Sequence, residues 1–390
     1  MVEFKELGEI CEIKGRIGFR GYTREDQVEK GEGAISLSPG NITNSVLNYD
    51  TCTYITWDKY EESPEIMVSE GDIILCKTAS VGKVARVRQL PEKATINPQL
   101  VLIKNIKTNP QYLFYVIDDN PFQSKIKELA GVGSVPNVSQ AKLGAIQIPV
   151  PSVSEQNRIV GILDTFTASI ENLKEQIKQR RKQYEYYRDQ LLDLEGKEGV
   201  EMKTLREIFE TRNGYTPSTN NKDFWEGGLI PWFKMEDIRD NGRILNDSIL
   251  HITPQAVKGK GLFKANSIIL ATSATIGEHA LITIEHLSNQ RFTNFYPKKS
   301  YESNINMKFV YYYMYIIDNW CKQHINQGGF ASVDMAGLYN LDFPILPLSE
   351  QSRIVSILDT FETSISNLEA QLKQREKQYE YYRNKLLTFE

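Results

Sequence analysis

Lysine and arginine side chains are concentrated in two stretches of the chain, and their chemistry is the binding of anions. Seven of them lie at 77–107 with one acidic residue, and six lie at 258–299 with two. A local basic surface of this kind suits phosphate groups. The net charge of the whole chain is −4, which argues against a protein that coats nucleic acid without selectivity.

Residues that could break or form bonds make no recognisable set. The four histidines all lie in the second half and show no HExxH or Cys/His spacing, and the four cysteines include no CxxC pair. There is no P-loop and no GxGxxG after a strand. The Asn-Pro-Gln triplets at 97–99 and 109–111 lack the second proline and the aromatic residue of an amino-methyltransferase loop. We therefore expect no catalytic residue, no metal site and reduced cysteines.

The chain consists of two copies of one unit. After a shift of 195 residues, 155–194 matches 350–389 at 27 of 40 positions, including QYEYYR in both copies. A weaker match sets GDIILCKTASVGKVA (71–85) on NSIILATSATIGEHA (266–280). Each copy is thus a variable globular part followed by a nearly invariant segment. The expected divisions are 1–154, 155–195, 196–349 and 350–390.

The two invariant segments are predicted to be long helices. Apolar residues recur at spacings of three and four from Ile159 to Leu194 and from Ile354 to Phe389, which is typical of a coiled-coil seam. Prolines stand upstream of both segments, and Ser154 and Ser349 are the predicted N-caps. Because a long apolar seam needs a partner, we expect the two helices to pair with each other in antiparallel orientation.

Both helical segments carry more tyrosine than a two-helix seam requires. We predict that these side chains form an interface for helices of partner proteins: Tyr184, Tyr186, Tyr187, Tyr379, Tyr381 and Tyr382. The alternative is that they are large amphipathic residues of the chain's own core.

The globular parts have the pattern of mixed α/β domains. Short β-rich runs such as GDIILCK and SIILAT accompany helical runs such as MKFVYYYMYIIDNWCKQHI. The longest apolar stretch is much shorter than the roughly 20 residues of a membrane span, and the N-terminus has no signal-peptide pattern. The expected fold is therefore a duplicated mixed α+β domain with two long antiparallel coiled-coil helices. The expected location is the cytoplasm, with no membrane contact.

Several motifs together resemble one family. The second copy contains NGYTPSTNNKDFWEGGLIPWFKMEDI (213–238), SIILATSATIG (267–277) and PILPLSEQSRIVSILD (344–359), and the first contains GDIILCKTASVGKV (71–84) and PSVSEQNRIVGILD (151–164). This order resembles the target-recognition unit of type I restriction-modification specificity subunits, over essentially the whole chain. The first copy departs from the pattern at KGRIGFRGYTRED (14–26), so the path of that loop is less well defined by the resemblance.

The resemblance implies two target-recognition domains, each reading one half of a bipartite sequence in double-stranded DNA. The helices would act as spacer and as docking surface for two methyltransferase subunits, and two restriction subunits, which are translocases and nucleases, can join such complexes. S-adenosylmethionine would belong to the methyltransferases, with no cofactor on this chain. Because the two copies differ, we expect an asymmetric recognition sequence with an unread gap.

Affinity should come from lysine and arginine on phosphates, and specificity from side chains at base edges. The candidate DNA contacts lie in loops that flank predicted strands. In the first copy they are Lys14, Arg16, Arg20, Lys77, Lys83, Ser134 and Asn137. In the second copy they are Arg212, Tyr215, Lys234, Arg239, Thr272, Ser273, Arg291 and Ser332. The alternative for each is a solvated surface charge or a turn residue.

Two other classes of function remain open at this stage. One is a non-catalytic coiled-coil scaffold whose globular parts bind protein partners, although it leaves the paired basic loops unexplained. The other is a self-contained methyltransferase or nuclease, which the missing motifs disfavour.

Overall fold

The computed structural model describes residues 2–16, 21–131, 135–326 and 331–389. The chain divides into two compact units, Met1–Lys174 with Ala370–Glu390, and Glu175–Glu369. Each unit contains one globular domain, the first half of the long helix that follows it, and the second half of the other long helix. The sequence divisions mark the duplication, whereas the compact units cut both helices near their middle.

The first unit is a mixed α/β domain. Its strands are β1 (Glu3–Glu6), β2 (Glu12–Lys14), β3 (Gln27–Val28), β4 (Gly33–Leu37), β5 (Ile42–Thr43), β6 (Val46–Leu47), β7 (Thr53–Thr56), β8 (Ile73–Cys76), β9 (Val84–Arg86), β10 (Ala94–Ile96), β11 (Leu100–Lys104) and β12 (Gln147–Val150). Its helices are α1 (Leu7–Ile10), α2 (Trp57–Glu61), α3 (Pro110–Asp118), α4 (Asn120–Ala130), α5 (Gln140–Gly144) and the start of α6 (Val153–Leu192). The main sheets have the orders β10-β4-β7-β3 and β2-β11-β8-β9.

The second unit repeats this class of fold. Its strands are β13 (Glu201–Thr204), β14 (Phe209–Asn213), β15 (Ile230–Phe233), β16 (Ile244–Leu245), β17 (Leu250–Ile252), β18 (Ser267–Ala271), β19 (His279–Ile282), β20 (Leu287–Ser288), β21 (Phe292–Pro297), β22 (Ile325–Asn326), β23 (Ser332–Val333) and β24 (Asp342–Ile345). Its helices are α7 (Leu205–Ile208), α8 (Met235–Asn241), α9 (Met307–Gln323), α10 (Met335–Tyr339) and the start of α11 (Leu348–Leu387). Its larger sheets run β14-β21-β18-β19-β16 and β17-β15-β20.

One central strand in each unit is buried on both faces, which explains its unbroken apolar sequence. In β8, Ile73 and Leu75 pack in one core while Ile74 and Cys76 pack in another. In β18, alternate residues likewise divide between two cores. Since side chains alternate across a strand, only a continuous apolar run can fill two cores at once. The two cores hold the ends of these strands in place, and loops follow them.

The two long helices form as predicted, with one correction at their starts. Ser154 and Ser349 lie inside the helices and are not N-caps. In the first copy, the hydroxyl of Ser152 accepts from the backbone N–H of Glu155 at 3.4 Å, so the helix begins directly after Ser152. In the second copy, the carbonyl of Pro347 accepts from the N–H of Glu350 at 2.9 Å. Both helices therefore begin one residue before the serine that the sequence suggested.

Within each unit the two helical halves run antiparallel, as predicted. In the first unit, Phe166 stacks on Tyr382 at 5.3 Å, and further along the pair Lys174 contacts Glu376 at 3.2 Å. From the first contact to the second, the residue number rises along α6 and falls along α11, so the two helices run antiparallel.

None of the described helices has both the length and the apolar character needed to cross a membrane.

The second unit shows the same sense of pairing. Tyr187 stacks on Phe361 at 5.4 Å, and Arg181 contacts Glu369 at 2.5 Å. The predicted seam omitted two leucines, Leu163 and Leu358, that are fully buried. They lie in the cores of their own units, because the first turns of each helix dock on the preceding domain as well as on the other helix.

Polar contacts at matching positions fix this docking. The side chain of Gln156 accepts from the backbone N–H of Asn109 at 2.8 Å, and that of Gln351 accepts from Asn306 at the same distance. About two helical turns later, a carboxylate accepts a hydrogen bond from a tyrosine hydroxyl in both copies, from Tyr115 to Asp164 and from Tyr312 to Asp359. Contacts inside the chain thus account for the identity of this glutamine and this aspartate in the two segments.

Candidate nucleic-acid interface

A chain of hydrogen bonds joins four loop segments at the strand ends of the first unit. The N–H of Asn97 donates to the carbonyl of Leu37 at 2.8 Å, and the side-chain oxygen of Asn97 accepts from the N–H of Gln99 at 3.0 Å. The carbonyl of Gln99 accepts from Lys77 at 2.9 Å, and the carbonyl of Lys77 accepts from Val138 at 2.9 Å. We call these segments, 37–38, 77–78, 97–99 and 137–138, the first reading edge.

The second unit builds the same edge. The N–H of Asn289 donates to Phe233 at 3.0 Å, and the side-chain oxygen of Asn289 accepts from the N–H of Arg291 at 3.0 Å. The carbonyl of Arg291 accepts from Thr272 at 2.9 Å, and that of Thr272 accepts from Val333 at 2.9 Å. Segments 233–234, 272–273, 289–291 and 332–333 form the second reading edge. Four hydrogen bonds of matching type and length make the two edges equivalent.

The loop that leaves each edge repeats its backbone strain. Ala79 and Ala274 both have φ of +64°, and Gly82 and Gly277 have φ of +99° and +75°. A non-glycine residue in this left-handed region costs on the order of 1 kcal/mol or more, and such strain often accompanies function. The strain occurs at the same position in both copies, so it belongs to the shared loop design.

Unlike side chains occupy the equivalent positions of the two edges. The pairs are Lys77 and Thr272, Thr78 and Ser273, Gln99 and Arg291, and Asn137 and Ser332. In the first edge the hydroxyl of Thr78 donates to the side-chain oxygen of Asn137 at 2.7 Å. Ammonium, guanidinium, amide and hydroxyl groups are the side chains that hydrogen-bond base edges and phosphates. The same scaffold therefore displays two different patterns of donors and acceptors.

Two of the candidates in the first copy lie on the reading edge, namely Lys77 and Asn137. Lys14 pairs with Glu12 at 2.9 Å on β2, and Lys83 donates to the carbonyl of Pro39 at 3.2 Å. Arg20 and Ser134 lie outside the described residues.

Arg16 has a different role from the one predicted on the basis of its charge. It is 4% exposed, and its guanidinium donates to the carbonyl of Ile96 and the hydroxyl of Thr95, each at 3.2 Å. Burial lowers the pKa of Arg16. The guanidinium thus ties β2 to the strand before the edge, and we assign Arg16 to support of the edge and not to a phosphate.

In the second copy, Thr272, Ser273, Arg291 and Ser332 all belong to the reading edge. The side chain of Thr272 is buried, with its hydroxyl 3.0 Å from that of Thr293, so only its main chain takes part in the edge and its predicted contact with DNA is wrong. Tyr215 adjoins it, since its N–H donates to the carbonyl of Ser288 at 2.8 Å, while its hydroxyl donates to the carbonyl of Ala256 at 3.0 Å. Lys234 follows Phe233 and so is part of the edge segment 233–234.

Two candidates in the second copy lie elsewhere. Arg212 donates to the carbonyl of Gly261 at 2.8 Å, and its guanidinium lies 4.2 Å from the ring centre of Phe263. Arg239 is exposed near the end of α8, and no described hydrogen bond joins it to the edge. Whether these residues contact DNA stays a prediction.

Four of the predicted interface tyrosines are exposed on the helices. Tyr186 and Tyr187 are 62% and 47% exposed in the second unit, and Tyr381 and Tyr382 are 60% and 40% exposed in the first. In the second unit, Tyr186, Tyr187 and Phe361 are among the residues that line an open groove of about 800 Å³. These side chains are available to a partner, and their role as an interface stays a prediction.

The remaining two tyrosines are more buried. The hydroxyl of Tyr184 donates to the carboxylate of Glu362 at 3.1 Å, and burial raises the pKa of both groups. Tyr379 packs against the core of the first unit, and the guanidinium of Arg383 lies 5.6 Å from its ring centre. For these two, core packing is the role that the described contacts support.

Sequence reasoning missed several residues of the site and its support. Gln99 was not among the candidates, although it stands where Arg291 stands in the second copy. The docking residues Gln156 and Asp164 were also missed. The repeat did contain a signal for these two residues. The glutamine and the aspartate are identical in the two copies, and they lie on helix faces that also bury apolar residues. Among the described residues, no group of three or more His, Cys, Asp or Glu side chains could hold a metal ion.

Comparison with known proteins agrees with this architecture. The family model for the type I restriction modification DNA specificity domain matches residues 1–180 and again 197–377. The chain therefore belongs to the type I restriction-modification DNA specificity family, with the domain present twice.

Individual relatives support the assignment. The chain is 48% identical over 216 residues to the type I restriction enzyme EcoprrI specificity subunit of Escherichia coli, covering 52% of this chain and 53% of that protein. It is 38% identical over 274 residues to the EcoR124I/EcoR124II specificity subunit of the same species, covering 65% of each. The matches thus span about half to two thirds of these relatives. The crystal structure of the type I S subunit from M. genitalium aligns over 100% of this chain and 97% of that one, with a TM-score of 0.56 and 15% identity, and shows the same fold.

Proposed function

We propose that this chain is the DNA specificity subunit of a type I restriction-modification complex. Each domain recognises one half of an asymmetric bipartite sequence in double-stranded DNA, with an unread gap between the halves. The observation that carries the proposal is the reading edge, which has one backbone design and two sets of side chains. Two equivalent scaffolds with unlike donors and acceptors are what recognition of two unlike half-sites requires.

Phosphate contacts and base contacts have separate roles in this proposal. Lysine and arginine outside the reading edges, such as Lys14, Lys83 and Arg239, hold the duplex without regard to sequence. The edge side chains Asn137, Ser273 and Ser332, which are at least partly exposed, face bases in the major groove. Weakening the first group should lower affinity uniformly, whereas changing the second should alter the recognised sequence.

The helices have two roles in the proposal. They separate the two domains, and their exposed tyrosines dock two methyltransferase subunits, to which two restriction subunits can add. The chain itself is non-catalytic and binds no cofactor, so S-adenosylmethionine is held by the methyltransferases. A complex that acts on chromosomal DNA in a bacterial cell works in the cytoplasm.

Methylome sequencing tests the main proposal. A host without methylation of its own should produce this chain together with its methyltransferase subunit, and adenine or cytosine modification should then be mapped genome-wide. One bipartite motif with unlike halves is the expected result. The absence of any sequence motif, with the assembled complex present, would favour the protein-binding scaffold.

Titration of labelled S-adenosylmethionine tests the cofactor assignment. The isolated chain should show no saturable binding, while the complex with methyltransferase should bind. Saturable binding by the chain alone would contradict the non-catalytic assignment.

A further inference from the structure

Gln99 and Arg291 occupy one structural position in the two reading edges. Each donates its N–H to the side-chain oxygen of an asparagine two residues earlier, at 3.0 Å, and each offers its carbonyl to the first residue of the neighbouring loop, at 2.9 Å. The main-chain N–H and C=O groups of the two residues make equivalent hydrogen bonds. Their Cβ atoms therefore leave the edge in corresponding directions. Only the side chain differs, an amide in one copy and a guanidinium in the other.

Both side chains retain free hydrogen-bonding groups. Arg291 is exposed, and its guanidinium makes no hydrogen bond or ion pair with another described residue. The side-chain oxygen of Gln99 accepts from the side-chain nitrogen of Asn97 at 3.2 Å. An amide oxygen has a second lone pair, and the amide nitrogen of Gln99 donates to no other described residue. Each group can therefore make a two-point contact with a ligand.

The two groups fit different bases. A guanidinium fork matches the O6 and N7 acceptors of guanine in the major groove, and a glutamine amide matches the N6 donor and N7 acceptor of adenine. Building on the proposed function, we propose that Arg291 reads a G·C pair in the half-site of the second domain and that Gln99 reads an A·T pair at the equivalent place in the other half-site. These two residues then determine one base pair each.

The neighbours along each edge support different base preferences. The first edge carries its cation at Lys77, which is hydrogen-bonded through its N–H to Gln99, and the second carries its cation at Arg291 itself, next to the neutral Thr272. At these two equivalent positions each edge has one positive side chain, and the second edge has a further one at Lys234.

Reciprocal exchange tests the proposal. The substitutions Gln99→Arg and Arg291→Gln should be made separately in the full chain, produced with its methyltransferase subunits, and the recognised sequences determined by selection from random duplex DNA. Arg291→Gln should weaken or change the preference for G at one position of one half-site, and Gln99→Arg should do so for A at one position of the other. Discrimination at that position should fall by roughly 5- to 150-fold, as expected for one bidentate base contact.

Three further variants separate base reading from general effects. Arg291→Lys keeps the charge but loses the planar fork, so it should retain affinity and keep a weaker preference for G than the parent chain, whereas Arg291→Gln should not. Gln89→Arg adds the same charge to the first domain at an exposed site away from the edge, and should leave the motif unchanged. Arg239→Gln removes a cation from the second domain away from its edge, and should lower affinity for all sequences alike. Circular dichroism of every variant checks that the chain is folded.

The outcomes distinguish this inference from the proposed function. If the unsubstituted complex selects no bipartite sequence, the proposed function itself is wrong. If it selects one, but folded Arg291→Gln and Gln99→Arg complexes select the same sequence, only the present inference is overturned. It would also be overturned if both variants changed the same half-site. The same holds if the half-site of the second domain contains no G·C pair, or if that of the first domain contains no A·T pair.

Discussion

The two domains share a backbone scaffold but differ in the side chains that it displays. The four hydrogen bonds of each reading edge use main-chain groups, with one asparagine side chain completing a turn in both copies. Lys77 and Thr272 differ in charge and size, yet both make the same two main-chain bonds. Main-chain bonds are insensitive to side-chain identity, so the edge can change its chemistry without changing its shape. This comparison explains how a duplicated unit could diverge in specificity while its fold persisted.

The support behind each reading edge also differs. In the first unit, the amide of Gln123 donates to the carbonyl of Gly82 at 3.0 Å. In the second, a methyl group added at the equivalent Gly277 would lie 2.5 Å from the carbonyl of Asp318. The carboxylate of Asp318 in turn contacts His279 at 2.7 Å and Arg243 at 3.2 Å. One loop is therefore held by a side-chain amide, and the other packs closely against the main chain of α9 at Asp318.

Exchange of one whole domain should have the largest effect. Replacing residues 1–154 with the corresponding domain of another family member should replace one half of the recognised sequence and leave the other unchanged, because each reading edge lies within a single unit. The end of α11, including Leu387, packs on this domain, so the incoming domain must offer a compatible apolar surface. Methylome sequencing of the hybrid gives the readout.

A matched control exchanges the helices. Substituting the sequence of 350–389 for 155–194 alters 13 of 40 positions and no edge residue, so both half-sites should be read as before. A domain exchange that altered both halves together would show that the two edges do not act independently.

Loss of helix docking should be the next largest effect, and it should be local. Leu163→Ala and Leu358→Ala each remove a fully buried side chain from the core of one unit, which typically costs about 2–5 kcal/mol. Hydrogen exchange followed by mass spectrometry should show faster exchange in 1–174 for the first variant and in 175–369 for the second.

The exposed residues at neighbouring positions serve as controls. Thr165→Ala and Thr360→Ala lie on the same helices at exposed sites and should shift the free energy of unfolding by no more than about 0.5 kcal/mol. Equal loosening of both units by Leu163→Ala would contradict the division into two compact units.

Acid should weaken the second unit before the first. All four histidines lie in the second unit, and burial lowers the pKa of His286 from 6.5 to about 4. Between these pH values the unfolded chain binds a proton that the folded unit does not, so the free energy of unfolding falls as the pH drops from about 6.5 to 4. The pKa difference corresponds to a loss on the order of 3 kcal/mol.

The variant His286→Phe isolates this effect. It keeps an aromatic ring beside Phe233 and Phe263 but removes the titrating nitrogens. Hydrogen exchange measured from pH 7 to 4.5, corrected for the intrinsic pH dependence of exchange, should show a smaller acid loss in 175–369 for the variant than for the parent chain. An unchanged acid response would show that His286 does not account for it.

Repetition within the sequence made much of the fold predictable. The near-identity of 155–194 and 350–389 located both long helices and their antiparallel pairing, and the runs at Ile73–Cys76 and Ser267–Ala271 located the central strands. The sequence did not predict that Leu163 and Leu358 face a domain core, because the three-and-four spacing of a seam does not distinguish a helix partner from a docked domain. It also placed the first helical residues two positions too late, at Glu155 and Glu350 in place of Val153 and Leu348.

The candidate DNA contacts were selected by a different criterion, and they stay predictions. Charge and loop position located Lys77, Asn137, Thr272 and Arg291 at the edges. The same criteria selected Arg16, which is buried by long-range hydrogen bonds that local sequence does not encode. Gln99 was missed because a neutral amide near a proline gives no charge signal. Only the three-dimensional equivalence of the two copies sets it opposite Arg291.

The smallest expected effect concerns a side-chain bond between two loops that the first edge has and the second lacks among the described residues. Thr78→Val removes the hydroxyl that donates to Asn137 at 2.7 Å, and should cost about 0.5–1.5 kcal/mol in the stability of the first unit. The equivalent Ser273→Ala removes a hydroxyl that bonds no other residue in the part of the chain that the structure describes, so its cost should stay below about 0.5 kcal/mol. Local exchange rates in 77–83 and 272–278 measure both. Similar costs in the two loops would mean that the bond to Asn137 does not hold the first loop in place, and the difference between the edges would then reduce to the groups that they present to a ligand.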